Sequence, residues 1–272
     1  MIKKLQNTTR TEAQGKKASS AADKIAPVTA IFAVILIWYA CNKGEIVPAY
    51  MLPSPLDVAK AFISNFSVMM KQAAITLQEA CLGLLIGIAL AFIIATLMDR
   101  FQFLHKAIYP ILVITQTIPT IAIAPLLVLW MGFGMAPKIT LVVITTFFPI
   151  AIGLLNGFGA ADKDAINLMR AMGANKLQIF RYVKFPNATA SFFSGLRISA
   201  SYAVVGAVVS EWLGGFEGLG VYMTRVKKAY AFDKMFAVIV FISAISLLLM
   251  LLVSLLEKTA MPWQKKRNTK QS

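Results

Sequence analysis

Residues 72–98, QAAITLQEACLGLLIGIALAFIIATLM, carry a single charged side chain, Glu79, and are flanked by Lys71 on one side and Asp99-Arg100 on the other. A run of about 20 apolar residues, at roughly 1.5 Å rise each, matches a hydrocarbon core about 30 Å thick. Backbone amides at that depth have no water to bond, so the run is predicted to be a membrane-spanning helix. It lacks the period-2 alternation of a barrel strand and is too long to be one.

The pattern recurs along the chain. Further spans are predicted at about residues 25–42, 107–131, 138–158, 191–213 and 232–256, which makes six with 72–98. Composition agrees: 58% of residues are hydrophobic, only 14% are charged, and the mean hydropathy is +0.71. The third span holds Pro110, Pro119 and Pro125, and the fourth holds Pro149. Proline removes a helix hydrogen bond, so kinks are expected there, shielded by protein or lining a wet cavity. A short amphipathic helix is expected at 57–70, capped by Ser54, ahead of the second span.

The net charge of +15 would suggest nucleic acid in a soluble protein. Here the cations sit in the tails and between apolar runs, and no nucleic-acid module accompanies them. Placing both tails in the cytoplasm puts about 18 of the 27 Lys and Arg inside and about 8 outside. The expectation is therefore a multi-pass inner-membrane protein with cytoplasmic N and C termini. It divides into a tail at 1–24, a transmembrane domain at 25–258 with a polar loop at 159–190, and a basic tail at 259–272. Contact with anionic lipid accounts for the remaining charge.

Cys41 follows the first apolar run, where a lipoprotein signal would end. The preceding Trp38-Tyr39 is too bulky for such a site, so a retained helix is expected. Neither Cys41 nor Cys81, nor the single histidine His105, has neighbours spaced as metal ligands. No nucleophile–base constellation and no phosphate-binding Gly-x-x-x-x-Gly-Lys-Ser/Thr loop is present, so no catalytic residue, cofactor or metal is expected.

Three charged residues fall in or near the spans. Arg197 and Glu211 are 14 residues apart, or about 21 Å along a helix, and cannot pair within it. For Glu211 two readings stand, interfacial anchoring or interhelical bonding against lining a solute path. The same alternatives stand for Glu79. Gly83 and Gly87 form a small-xxx-small pair that allows close helix packing.

The polar loop carries the most distinctive pattern, residues 167–186, NLMRAMGANKLQIFRYVKFP. It reads as a short helix, a break at Gly173, a second short amphipathic helix and a stop at Pro186. Two helices joined by a glycine make a lever that a soluble partner could push.

This loop resembles that of bacterial binding-protein-dependent ABC importer permeases, which carry Glu-Ala-Ala, three residues, Gly, nine residues, Ile, one residue, Leu-Pro. Gly173, Val183, Phe185 and Pro186 stand at the matching spacing, while Asn167-Leu168-Met169 replaces the opening triplet. The resemblance covers roughly residues 50–263. Leu52-Pro53-Ser54-Pro55, Gln116-Thr117-Ile118-Pro119 and Trp130-Met131-Gly132-Phe133-Gly134 resemble the sulfonate, taurine, nitrate and thiamine-precursor subfamily. Gly206, Glu211-Trp212, Gly218-Leu219-Gly220 and Pro262-Trp263 are most similar to its pyrimidine and riboflavin branch.

The resemblance implies an all-α polytopic fold of the type I ABC importer permease. It implies a homodimer enclosing the path, an ABC ATPase subunit beneath it and an extracytoplasmic substrate-binding protein. Asn167, Ala171, Met172, Gly173, Ala174 and Pro186 would then form the ATPase-coupling loop, and Glu79, Gln116, Pro119 and Glu211 are candidate path residues. A stand-alone channel or secondary transporter would leave the Gly173–Pro186 spacing without a use, and a membrane enzyme would need a catalytic cluster that is not seen.

Overall fold

The structure is a computed structural model and describes residues 26–44, 46–48 and 50–261. Among these residues it is all-helical: α1 (Ala26–Lys43), α2 (Pro55–Arg100), α3 (Gln102–Thr115), α4 (Thr120–Met131), α5 (Met135–Gly159), α6 (Lys163–Ala171), α7 (Lys176–Ile179), α8 (Phe185–Gly214), α9 (Leu219–Lys228) and α10 (Phe232–Ala260). A π-helical turn, Phe180–Lys184, joins α7 to α8. The expected tail at 1–24 lies outside the described residues. So does 262–272, while α10 extends through Ala260 into the segment read as tail.

Among the described residues, five helices are long and apolar enough to cross a membrane: α1, α2, α5, the continuous stretch Lys176–Gly214, and α10. Counting α3 with α4 as one broken span gives a sixth.

Two expectations are corrected. The amphipathic segment at 57–70 and the second span are not separate helices but one, of 46 residues. Ser54 caps it, its Oγ accepting from the Asp57 amide, and Pro55 sits at the first position, where a missing N–H costs nothing. No glycine or proline interrupts residues 56–82, so nothing breaks the helix at Lys71. At about 1.5 Å per residue it reaches roughly 69 Å, so only part of it lies across the bilayer.

The third span, in turn, is not a kinked continuous helix. It turns by 102° between α3 and α4. Pro110 and Pro125 stay inside their helices, whereas Pro119 marks the break. Proline donates no amide hydrogen and pushes the residue before it out of the helical region. The carbonyls freed at the end of α3 are answered locally. Thr115 Oγ1 donates to Leu112 O at 2.7 Å, and Thr117 Oγ1 to Ile114 O at 2.8 Å.

Apolar attraction between helices is weak in lipid, so close approach and hydrogen bonds must hold the bundle. The α5–α8 contact shows both. A Cβ on Gly153 would stand 2.6 Å from Ser191 O, one on Gly157 2.5 Å from Ala188 Cα, and one on Gly195 against Pro149 O. Ser199 Oγ donates to Thr146 O at 2.7 Å, and Asn187 Nδ2 to Gly157 O at 2.9 Å, in the last turn of α5. The Gly83–Gly87 pair on α2 meets α5 in the same way, with a Cβ on Gly83 falling 2.5 Å from Val142 Cβ. Around this axis Ala91, Ala95, Ile150, Leu154, Phe158 and Ala200 form one continuous core.

Gly195→Ala should destabilise the bundle by about 1–3 kcal/mol, because the Pro149 carbonyl it meets is backbone and cannot swing aside. Gly159→Ala, with open space around it, should shift stability by less than about 0.5 kcal/mol. Thermal unfolding in detergent micelles checks the contrast.

Candidate functional site

The polar loop at 159–190 is built by a sequence of local caps. Asp162 starts α6, its side chain accepting from the Asp164 amide at 2.9 Å. Ala171 is the last residue of α6 and Met172 its cap. Gly173 then adopts φ +82°, a left-handed conformation that glycine alone takes without strain. Ala174 N–H donates to Met169 O at 2.9 Å, and Gly173 N–H to Arg170 O at 3.0 Å. These are the paired bonds of a Schellman turn, which explains why a glycine stands at this position.

The turn leads straight into a capping box. Gln178 N–H donates to Asn175 Oδ1 at 2.9 Å and Asn175 N–H to Gln178 Oε1 at 2.7 Å. Asn167 lies exposed on α6, and large apolar side chains project from the loop, Met172 at 75% exposure, Leu177 at 73% and Leu168 at 62%.

The stop expected at Pro186 is also corrected. Pro186 lies in the first turn of α8, and the helix continues through it. In a regular α-helix its ring would meet the carbonyl of Tyr182. The π-turn Phe180–Lys184 absorbs one extra residue at that place and relieves the clash. Lys184 in this turn bonds both oxygens of Asp99 in α2, at 2.7 and 2.9 Å. Phe180 packs on Phe158 of α5 with ring centroids 5.2 Å apart. The loop is thus tied to α2 and α5 before it becomes α8.

Toward the opposite end of the bundle lie the charged residues singled out from the sequence. Glu79 is fully buried, and Lys138 at the start of α5 donates to its Oε1 at 2.6 Å. Glu211 is also buried and holds together three elements. Thr76 Oγ1 of α2 donates to Glu211 Oε1 at 2.7 Å, and Gly220 N–H at the start of α9 donates to Oε2 at 2.6 Å. Leu219 N–H donates to Thr76 Oγ1 at 2.9 Å, and Gly218 N–H to Gln72 Oε1 at 2.6 Å.

The first amides of α9, left without partners by the helix itself, are therefore capped by side chains from α2 and α8. A Cβ on Gly218 would collide with the Glu211 carboxylate, and one on Gly220 with Val208 O. That contact is why Gly218-Leu219-Gly220 follows Glu211. Arg197 pairs with Glu257 of α10 at 3.5 Å instead of with Glu211.

Gln116 and Pro119 both lie at the α3–α4 break and are exposed. Gln116 lines an open cleft between the break, α5 and α8. Glu79 and Glu211 do not line it; each is buried among helix contacts.

Sequence reading did not identify Lys138, Thr76, Gln72 or the Asp99–Lys184 pair. Each depends on contacts between residues 59 to 146 positions apart, and nothing local signals them. The capping box, which sequence reading also did not identify, does have a local signal, Asn175-x-x-Gln178 two residues after Gly173.

Residues 83–261 match the family described as binding-protein-dependent transport system inner membrane component. The chain is 34% identical to a formylaminopyrimidine transport permease protein of Halalkalibacterium halodurans, over 88% of this chain and 96% of that one. It is 31% identical to a riboflavin transport system permease protein of Chloroflexus aurantiacus, over 88% of this chain and 89% of that one. Its fold is similar to that of a chain in an inward-facing structure of the MetNI methionine ABC transporter, with a TM-score of 0.64 at 19% identity, covering 72% of this chain and 97% of that one.

Lys138→Met should cost about 3–5 kcal/mol, because it leaves Glu79 buried without its counter-charge. The double variant Glu79→Leu/Lys138→Met should recover most of that loss. A double-mutant cycle on detergent-solubilised protein measures both.

Proposed function

This chain belongs to the family of binding-protein-dependent transport system inner membrane components, and on that footing we propose that it works as one half of a homodimeric pathway for ATP-driven import of a small solute. The finer reading is a thiamine-precursor pyrimidine or riboflavin-like compound. Aliphatic sulfonate, taurine or nitrate is the alternative carried by the wider subfamily resemblance. ATP hydrolysis belongs to a partner ATPase subunit, and solute is delivered by an extracytoplasmic binding protein. Both termini face the cytoplasm, as the distribution of Lys and Arg favours.

The observation that carries this reading is the capped loop at 163–186. Its apolar side chains Leu168, Met172 and Leu177 are exposed, in a place where burial against a partner would stabilise them. In this reading Asn167, Ala171, Met172, Gly173 and Ala174 sit in the ATPase groove. Pro186 begins the helix that carries the movement into the membrane. The Asp99–Lys184 pair and the Phe180–Phe158 contact link the loop to α2 and α5, so a push on the loop moves three helices together. Alternating access follows, because ATP binding draws the two loops of the dimer together and hydrolysis releases them.

Met172→Asp should abolish co-purification of the ATPase subunit and lower ATP-driven uptake more than tenfold, with membrane insertion retained. Asp99→Lys should uncouple ATP hydrolysis from uptake, and Asp99→Lys/Lys184→Asp should restore coupling at least in part. Uptake and ATPase assays in proteoliposomes read each outcome.

A further inference from the structure

The cleft beside the α3–α4 break takes no part in the loop or in the buried carboxylate network. It has two parts. The larger, about 490 Å³, lies toward the loop end and includes Phe148, Asn156, Ser191 and Ser194. The smaller, about 240 Å³, lies beyond it and includes Thr120 and Thr145. Gln116 and Tyr202 line both, so they form a waist between the two parts. The size of the larger part is within the range of small-molecule sites.

The chemistry of the lining is selective. None of its residues is Asp, Glu, Lys, Arg or His. The side chains of Gln116, Asn156 and Tyr202 make no hydrogen bond within the described residues. They therefore present free amide donors, amide acceptors and a phenol to whatever enters. Between them are aliphatic side chains such as Ile152 and Ile198, and the rings of Phe148 and Tyr202.

A sulfonate or nitrate anion brought to this depth would lose water and meet no cation, a costly exchange. An uncharged, flat ring with amide-like edges loses little. Its edge pairs with Gln116 and Asn156, which each donate and accept. Its face stacks on an aromatic ring.

We propose that this cleft is a solute-contacting site for an uncharged planar nitrogen heterocycle, in which Gln116 and Asn156 pair with the edge of the ring and Tyr202 covers its face. The proposal rests on the importer-permease reading and adds to it a selection of solute by the membrane subunit.

The test uses the full complex of this chain with its ATPase and binding-protein partners in proteoliposomes. ATP-driven uptake of radiolabelled formylaminopyrimidine, riboflavin and taurine is measured. A heterocycle should be taken up in preference to taurine. Gln116→Ala and Asn156→Ala should each raise its KM about 3- to 10-fold, the loss expected for one neutral hydrogen bond. Tyr202→Ala should raise KM further, and Tyr202→Phe, which keeps the ring, should stay near the wild-type value. Asn156→Asp, equal in size but charged, should impair heterocycle uptake at least as much as Asn156→Ala, which guards against a simple packing effect.

Taurine preferred over both heterocycles would overturn the assignment of solute class. Heterocycle uptake with an unchanged KM in the triple variant Gln116→Ala/Asn156→Ala/Tyr202→Ala would overturn the site. Absence of ATP-dependent uptake of all three solutes by the wild-type complex would count against the importer reading itself.

Discussion

A polar group withdrawn from water inside a bilayer must find its partner within the protein, and the Glu211 carboxylate is where that requirement is met most densely. It accepts from Thr76 of α2 and from the Gly220 amide of α9 while standing on α8. Three separate needs are settled by these contacts. The carboxylate is solvated by fixed donors, the N-terminus of α9 gains a negative cap, and the Thr76 hydroxyl is placed to accept from Leu219. The glycines at 218 and 220 are the steric condition for it, since any side chain there would occupy the space of the carboxylate or of the Val208 carbonyl. Nearby, Glu79 and Lys138 form a buried pair that joins α2 to α5 through Glu79 Oε1, while Glu79 Oε2 has no hydrogen-bond partner among the described residues.

The rest of the bundle is arranged around these fixed points. Glycines at 153, 157 and 195 bring the α5 and α8 backbones close enough for side chains to bond across to carbonyls. The cleft by the α3–α4 break opens along the edge of that seam, lined in part by Gly153, Ser191 and Gly195, and the side chains of Gln116, Asn156 and Tyr202 that face it make no hydrogen bond within the described residues. The same two helices thus supply a rigid seam and an open wall. The break itself is tolerated because threonine hydroxyls return hydrogen bonds to the freed carbonyls.

At the loop end, local caps and long-range contacts divide the work. The Schellman turn at Gly173 and the capping box at Asn175 and Gln178 fix the shape of the loop by hydrogen bonds within a few residues. Lys184 with Asp99, and Phe180 with Phe158, fix its position against the bundle. The π-turn between them lets the chain pass Pro186 without ending the helix. Held in this way, the loop is tied to α2 and α5 before it runs into α8.

The sequence by itself determined the membrane class, the approximate spans and the helix–glycine–helix form of the loop, because each follows from hydrophobicity along one segment or from the backbone freedom of one residue such as Gly173. It misplaced the ends of that logic. A proline removes a helix hydrogen bond wherever it stands, yet Pro119 breaks the helix, Pro125 does not, and Pro186 is carried through a π-turn, since neighbouring helices and hydroxyls decide whether the lost hydrogen bond matters. Hydrophobicity also cannot say where an unbroken helix such as α2 leaves the bilayer. Partners were beyond it altogether. Glu79 and Glu211 were visible as charges, but that one meets Lys138 and the other meets Thr76 was decided only by tertiary structure, because residues 59 and 135 positions from them had to be brought within hydrogen-bond distance by the packing of whole helices.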